Sequence, residues 1–545
     1  MALSALTRWI VAGAVVVTGA CAPVSDGGQG GSAFFSVAMA GTSETEKTLS
    51  FAYSTIAERY LRKVAVAQVA LDGIAGLGGL DPAMTVARDG TVVRLQNDGR
   101  IVNQYAAPGD NDPQGWANLT MQALRDSRAA SAKLRQSNDD QMLKAVFDAA
   151  LTKLDQFSRY SAPEEARNHR ASRNGFAGVG IRYDEVGTQG IEIRSVIPES
   201  PAEAARLQPG DVLTHVNGKP VREMTLDQVS DMLRGDIGSQ VAMTLLRKGN
   251  GRSETVSIRR SLVVPPTVTL TLEHGVANIR ISGFNQRTSA SLATAVRDAR
   301  AQLGPLLKGV LLDLRGNPGG LLDQAVSMAD LFMDQGRIVS TEGRHRHSIQ
   351  VYDATPGDIA EDLPLAVLVD GKSASASEIL TAALQDSGRA VVIGTNSYGK
   401  GTVQTVIRLP NEGEMTLTWS RFHSPSGYAL HGLGVLPTVC TAEGKEKVVP
   451  LLKTVETSST VAAELAAWRA SGIDQTDLRT QLRATCPSEK HGDDATDSRL
   501  AEELLQDRAL YTRVLAISSP APRDGQFAIP SAAKPVTAQA EVKVH

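Results

Sequence analysis

Two stretches of the chain repeat one plan. "KGVLLDLRGNPGGLLDQAVSMADLFM" starts at Lys308 and "LPLAVLVDGKSASASEILTAALQDSG" starts at Leu363. Each joins an unbroken apolar run of strand length to a glycine-bearing turn, then to apolar residues at helical spacing. A strand apolar at every position is a buried strand, and its alternation with helices from Pro265 onward is the pattern of an α/β domain. "AVVIGTNSYGKGTVQTVIRL" and "EMTLTWSRFHSPSG" carry that domain on with further strands.

At 545 residues the chain is too long for one compact core, so the α/β domain has company. The N-terminus has an apolar run from Trp9 to Val17, small residues Gly19 and Ala20, and then Cys21. That run is short for a bilayer span and has the layout of an export signal. A cysteine after two small residues resembles a bacterial lipoprotein signal, with Cys21 the lipidated new N-terminus and a membrane tether. Cleavage after "VAMA", at Ala40, is the other reading. Export would allow Cys440 and Cys486 to pair in a disulfide, although two free thiols stay open. Neither cysteine stands in a metal-ligand pattern, and neither a metal nor another cofactor is expected. The charge balance of 56 basic against 59 acidic residues, with no long basic run, argues against a nucleic-acid partner.

The expected organisation is a signal over residues 1–21, a flexible tether over 22–47 and a helical N-terminal region over 48–165. A short strand-like piece, "MTVARDGTVVRLQNDGRIV", interrupts those helices. A strand-rich module follows over 166–262, the α/β domain over 263–455, and a helical C-terminal extension with a disordered Pro/Ala-rich tail over 456–545. The module, with one clear helix at Leu226 to Leu233, resembles a PDZ domain. "GVGI" (Gly178, Val179, Gly180, Ile181) stands where such a domain has its carboxylate-binding loop, and "PAEAARLQPGDVLTHVNG" matches its middle segment. Successive N–H groups freed by glycines can hold a terminal carboxylate while a peptide adds a strand to the sheet edge. A plain tight turn is the other reading of those glycines. Arg206 stands where a glycine is commoner.

Ser373, Ser375 and Ser377 fall at the start of the second helix of the repeat. Free N–H groups there stabilise developing negative charge, which suits a nucleophile and an oxyanion donor. Ser375 and Glu378 also make an S-x-x-E capping box, which needs no catalysis. No histidine lies in the strand–helix units around the serines, while His423 and His431 near the later strand leave a Ser–His pair open. Lys400 in "SYGKGTVQT" is flanked by glycines and enters an alternating strand. Turned inward, it would be desolvated, its pKa lowered, and a usable general base; turned outward, it is a surface lysine. Gln404 lies four residues along the strand, on the same face, where its amide would orient the lysine.

"SASASEILTAALQD", "SYGKGTVQT", "DLRGNPGG" and "HSPSGYALHGLGVLPT", in that company with a PDZ-like module, resemble the carboxy-terminal processing (tail-specific) peptidases. The resemblance runs from about Leu154 to Pro437 and implies a crotonase/ClpP-like α/β fold. It implies Ser375 as nucleophile, Lys400 as base, Gln404 as orienting partner, and an oxyanion hole of the Ala376 N–H with Gly320 or, second, Gly319. Thr438 departs from the aspartate usual after "GVLP". The implied function is an exported serine endopeptidase of the periplasm or cell envelope. It would cut proteins at or near C-termini captured by the PDZ domain. A non-cleaving PDZ scaffold is the alternative, and an adaptor lipoprotein and a homodimer are the further partners considered.

Overall fold

The computed structural model describes residues 43–442, 459–492 and 495–518. The export signal with Cys21, most of the tether, and the Pro/Ala-rich end lie outside the described residues. The strands of the repeated plan lie side by side in a six-stranded sheet. Its order is Val268–Glu273, Val276–Ile281, Gly309–Asp313, Leu365–Val369, Val391–Gly394 and Val439–Cys440. The first pair is antiparallel and the rest are parallel. The central strands Gly309–Asp313, Leu365–Val369 and Val391–Gly394 are apolar at nearly every position because both faces are covered, whereas the edge strand Val268–Glu273 alternates. On one side lie the helices Thr288–Leu303, Leu322–Asp330 and Ala376–Asp386, with Phe332, Leu380 and Leu384 in the core.

The other face is closed by the C-terminal extension. Leu500, Leu504, Leu505, Tyr511 and Val514 of Ala495–Gln506 and Arg508–Ser518 pack on Leu311, Ala366, Leu368, Val391 and Ile393. Trp468 and Leu482, from two further C-terminal helices, enter the first core. The extension is thus a structural layer of the peptidase-like domain. Cys440, on the last strand, is disulfide-bonded to Cys486 at the end of Thr476–Thr485.

A second sheet, of five strands, comprises Gln350–Asp353, Arg337–Gly343, Glu414–His423 and Thr402–Arg408, with Arg159–Ser161 also pairing to Glu414–His423. The N-terminal helices Glu44–Arg59, Val66–Ala75, Pro113–Ala130 and Asp139–Leu154 share a core with its Ile407, Leu409, Met415 and Leu417. The strand-like interruption among those helices is a three-stranded antiparallel sheet, Met84–Asp89, Val92–Asn97 and Arg100–Ala106. Asp98 and Gly99, both at positive φ (51° and 74°), make the turn into its last strand, as an Asp-Gly hairpin requires.

The strand-rich module has its own core around Val179, Ile193, Leu213, Val229 and Met243, under the helix Leu226–Leu233. Arg206 sits at φ 58°, so the position where a glycine is commoner does demand left-handed backbone.

Candidate active site

The turn after Leu365–Val369 uses its three serines in different ways. The Ser373 hydroxyl donates to the Leu314 carbonyl (2.8 Å) and accepts from the Asp370 N–H (2.9 Å). The Ser377 hydroxyl donates to the Asn317 carbonyl (3.0 Å). Both side chains are fully buried. Ser375 is half-buried and faces a cavity of about 380 Å³. Its backbone stands at φ 58°, ψ −114°, conformational strain of the sort that concentrates at functional sites.

Asn317, in the turn of the first repeat, ties the two turns together. Its carbonyl accepts from the Ala374 N–H (3.0 Å) and its Oδ1 from the Gly319 N–H (2.9 Å), while its Nδ2 donates to the Ile281 carbonyl (2.7 Å). Gly319 is pressed so close that a Cβ would lie 2.6 Å from the Ala374 carbonyl oxygen and 2.9 Å from the Ala376 nitrogen. Its N–H is spent on Asn317, whereas the Gly320 N–H has no partner among the described residues. Ala376 opens its helix, so its N–H has no intrahelical acceptor.

Glu378 does more than return the capping bond. Its fully buried carboxylate accepts from the Ser375 N–H (2.8 Å) and the Lys400 N–H (2.9 Å) through Oε2. Oε1 accepts from the Gly399 N–H (2.6 Å) and the Ser397 hydroxyl (2.5 Å). Burial pushes its carboxyl above the usual range, against the pull of these four donors. One side chain thereby fixes the backbone of both candidate catalytic residues. From the C-terminal extension, the Arg483 guanidinium donates to the Ser397 carbonyl (3.2 Å) and to the Leu433 carbonyl, bracing the same loop.

Lys400 is half-buried and its ammonium stands over the Phe157 ring, 5.2 Å from the centroid. Burial lowers its pKa, and the nearby Arg159 charge lowers it further, partly offset by Glu378 and Asp155. No hydrogen bond joins its side chain to Ser375 or Gln404 among the described residues. Gln404 lines the same cavity, but its amide nitrogen donates to the Thr402 hydroxyl (2.8 Å) and carbonyl (3.2 Å) and to the Thr418 hydroxyl (3.4 Å). The strand carries a register shift between Val403 and Gln404, and Lys400 precedes its first residue, so simple alternation does not relate the two side chains.

The cavity brings together Ser375, Ala376, Gly319, Gly320, Lys400 and Gln404. It does not include His423 or His431; His431 instead lies edge-on to Phe157, with ring centroids 6.3 Å apart. Burial holds both imidazoles below the ordinary histidine range. Phe157 and Arg159 had no place in the sequence-based site, because each lies more than two hundred residues from Lys400 and in no repeated pattern. The S-x-x-E spacing marked Glu378 as a cap without its tie to the lysine. Among the described residues no three His, Cys, Asp or Glu side chains gather as a metal site, and no helix is long and apolar enough to cross a membrane.

In the strand-rich module, Phe176–Gly178 pairs with Ser261–Val263. The Val179 carbonyl accepts from the Ala202 N–H (2.8 Å), and the Gly180 carbonyl from Ile197 (2.9 Å). A Cβ on Gly180 would lie 2.2 Å from that of Ser200. Ile181 begins the strand that pairs with Ser195–Val196.

Peptidase family S41 matches residues 275–441 of this chain, and the PDZ domain family matches residues 192–247. A carboxy-terminal-processing protease of Bartonella bacilliformis is 37% identical over 304 residues, covering 55% of this chain and 70% of that one. The chain belongs to peptidase family S41. A probable CtpA-like serine protease of Staphylococcus aureus is 34% identical over 327 residues, 59% of this chain and 64% of its own length. Among solved structures, a photosystem II D1 C-terminal processing protease aligns over 72% of this chain and 92% of its own at 25% identity, with a TM-score of 0.36. This S41 peptidase is a serine protease of the carboxy-terminal-processing type that carries a PDZ domain. Gly319, Gly320, Ser375, Ala376, Lys400 and Gln404 all fall within the S41 match, and Gly178–Ile181 precede the PDZ match.

Proposed function

We propose that this S41 peptidase cuts protein chains at or near their C-termini by acyl transfer, with Ser375 as nucleophile and Lys400 as general base. The observation that carries the reading is the serine turn. Of the three serines, only Ser375 donates its hydroxyl to no acceptor among the described residues, and it stands on a strained backbone in one cavity with a desolvated lysine.

The neutral Lys400 amine takes the Ser375 proton as the hydroxyl oxygen attacks the scissile carbonyl. The N–H groups of Ala376 and Gly320 stabilise the oxyanion. The lysine returns the proton to the leaving amine, and a water activated by the same amine hydrolyses the ester. Gln404 holds the amine in line once the lysine has swung off Phe157. Gly178, Val179, Gly180 and Ile181 hold the carboxylate of the substrate tail as it pairs with the PDZ sheet. The disulfide between Cys440 and Cys486 supports work in an oxidising space, consistent with export to the periplasm or cell envelope and an anchor at Cys21.

Ser375→Ala and Lys400→Ala each reduce peptide hydrolysis by at least about a thousandfold on this reading, since the dyad acts as a unit. Undiminished hydrolysis by either variant sinks it. The Lys400 side chain resting on Phe157 favours a second reading, a PDZ scaffold that binds tails without cutting. Labelling of Ser375 by a serine-reactive phosphonate, lost in Lys400→Ala, excludes that scaffold.

A further inference from the structure

The catalytic cavity is lined by three cations, Lys400, Arg159 and Arg173, and by no aspartate or glutamate. Arg173 is spent: it pairs with the buried Glu414 at 2.8 Å, which Arg170 also holds at 3.1 Å. Arg159 is different. It lies on the short strand Arg159–Ser161, is held by backbone pairing to Thr416, and has an exposed side chain. No hydrogen bond or ion pair engages its guanidinium among the described residues. Its charge opposes the protonated form of Lys400. Such a cation beside the catalytic base gives the free protein no ion-pair stabilisation, so its return must come from something that enters the cavity. A polypeptide brings one kind of anion, a carboxylate, either at its chain end or on an aspartate or glutamate side chain. The planar guanidinium matches a carboxylate through two parallel hydrogen bonds.

Resting on the peptidase reading above, we propose that Arg159 is a specificity-determining residue that binds a carboxylate of the substrate next to the scissile bond. Binding there is distinct from tail capture by residues 178–181. It selects chains whose cut lies close to the free end or beside an acidic side chain.

The test compares three peptides of one sequence: a free C-terminus close to the cut, the same end amidated, and the amidated peptide with a glutamate beside the scissile bond. The full-length protein is expected to cleave at least one carboxylate-bearing peptide about fivefold better in kcat/KM than the plain amide, the size of a partly screened ion pair. Which of the two is favoured identifies the source of the carboxylate. Arg159→Gln abolishes the preference, read as the ratio of carboxylate-bearing to plain-amide cleavage by the same variant, and Arg159→Lys restores part of it. With a repelling cation gone, Arg159→Gln also moves the rising limb of the pH profile upward, which a purely structural role would not do. Equal cleavage of all three peptides overturns the proposal. A preference that survives Arg159→Gln belongs to the PDZ loop and overturns it too. Binding of the fluorescently labelled peptides to Ser375→Ala, with and without Arg159→Gln, needs no turnover. If the wild-type protein cuts nothing yet this binding shows the Arg159-dependent ranking, the peptidase reading fails and the carboxylate site stands. Absence of the ranking overturns the site.

Discussion

The two sides of the candidate catalytic cavity are built differently. On the nucleophile side, Ser373, Ser377 and Asn317 each spend their polar atoms on backbone groups, and Gly319 is pressed against the serine turn. Ser375 projects from a frame with almost no freedom. On the lysine side the backbone is equally fixed, by Glu378 and Arg483. The functional side chains are not: Lys400 rests on a ring and Gln404 is turned to Thr402 and Thr418. On the proposed mechanism, the step from resting to cutting then lies in two side chains rather than in the fold, with a nucleophile preorganised and a base stored nearby.

Glu378 is where the two sides meet, so its loss tests the contrast most severely. Glu378→Gln keeps the shape but turns one acceptor into a donor that faces N–H groups. Stability should fall by about 1–3 kcal/mol, the cost of buried polar groups left unpaired. Activity should fall by about a hundredfold, because misplacing either catalytic backbone by a fraction of an ångström is felt directly. Urea titration and peptide hydrolysis measure the two. If activity stays near wild type while stability drops, Glu378 is only a helix cap and the shared frame is wrong.

The pH profile sharpens the contrast on the lysine side. Only the neutral amine is a base, so activity rises as pH climbs through the pKa of Lys400. Because burial and Arg159 lower that pKa, the limb lies below the ordinary lysine range. Phe157 acts in the opposite sense, since its π face favours the charged amine. Phe157→Leu keeps the apolar cover and removes the π face, so it should move the limb down by about half a pH unit. It should also raise activity at neutral pH about threefold, if the ring stores the base. A limb that stays in place, or moves up, shows that the ring is not the resting partner of the lysine.

Much of this architecture was legible in the chain. The repeated strand–turn–helix plan identified the sheet, and the family resemblance implied one site for Ser375, Lys400, Gln404, Gly319 and Gly320, all of which line one cavity. Three things escaped for physical reasons. Alternation along "GKGTVQT" related Gln404 to Lys400, but the register shift before Gln404 breaks that period. Phe157 and Arg159 come from a separate segment that only the second sheet brings alongside, and nothing local marks them. The helices after residue 458 read as an appendage, because their apolar faces match only sheet positions distant in sequence.

The smallest predicted effect tests whether the nucleophile is held under strain. At most helix starts a glycine is slightly worse than serine, and alanine is worse than both. Ser375 at φ 58°, ψ −114° occupies a region where a Cβ is penalised and glycine is not. Replacing it therefore separates two contributions. Ser375→Ala keeps the Cβ and hence the strain, so its stability should lie within about 0.5 kcal/mol of wild type. Ser375→Gly removes the strain and adds chain entropy to the unfolded state, and should still come out about 1 kcal/mol more stable than the alanine variant. Both variants lack the proposed nucleophile, so the comparison reads the backbone alone, by urea denaturation. If the glycine variant is less stable than wild type, as at an ordinary helix start, the serine turn is relaxed. The preorganisation on this side then comes from the hydrogen bonds of Asn317 and Glu378 without any contribution from a strained backbone.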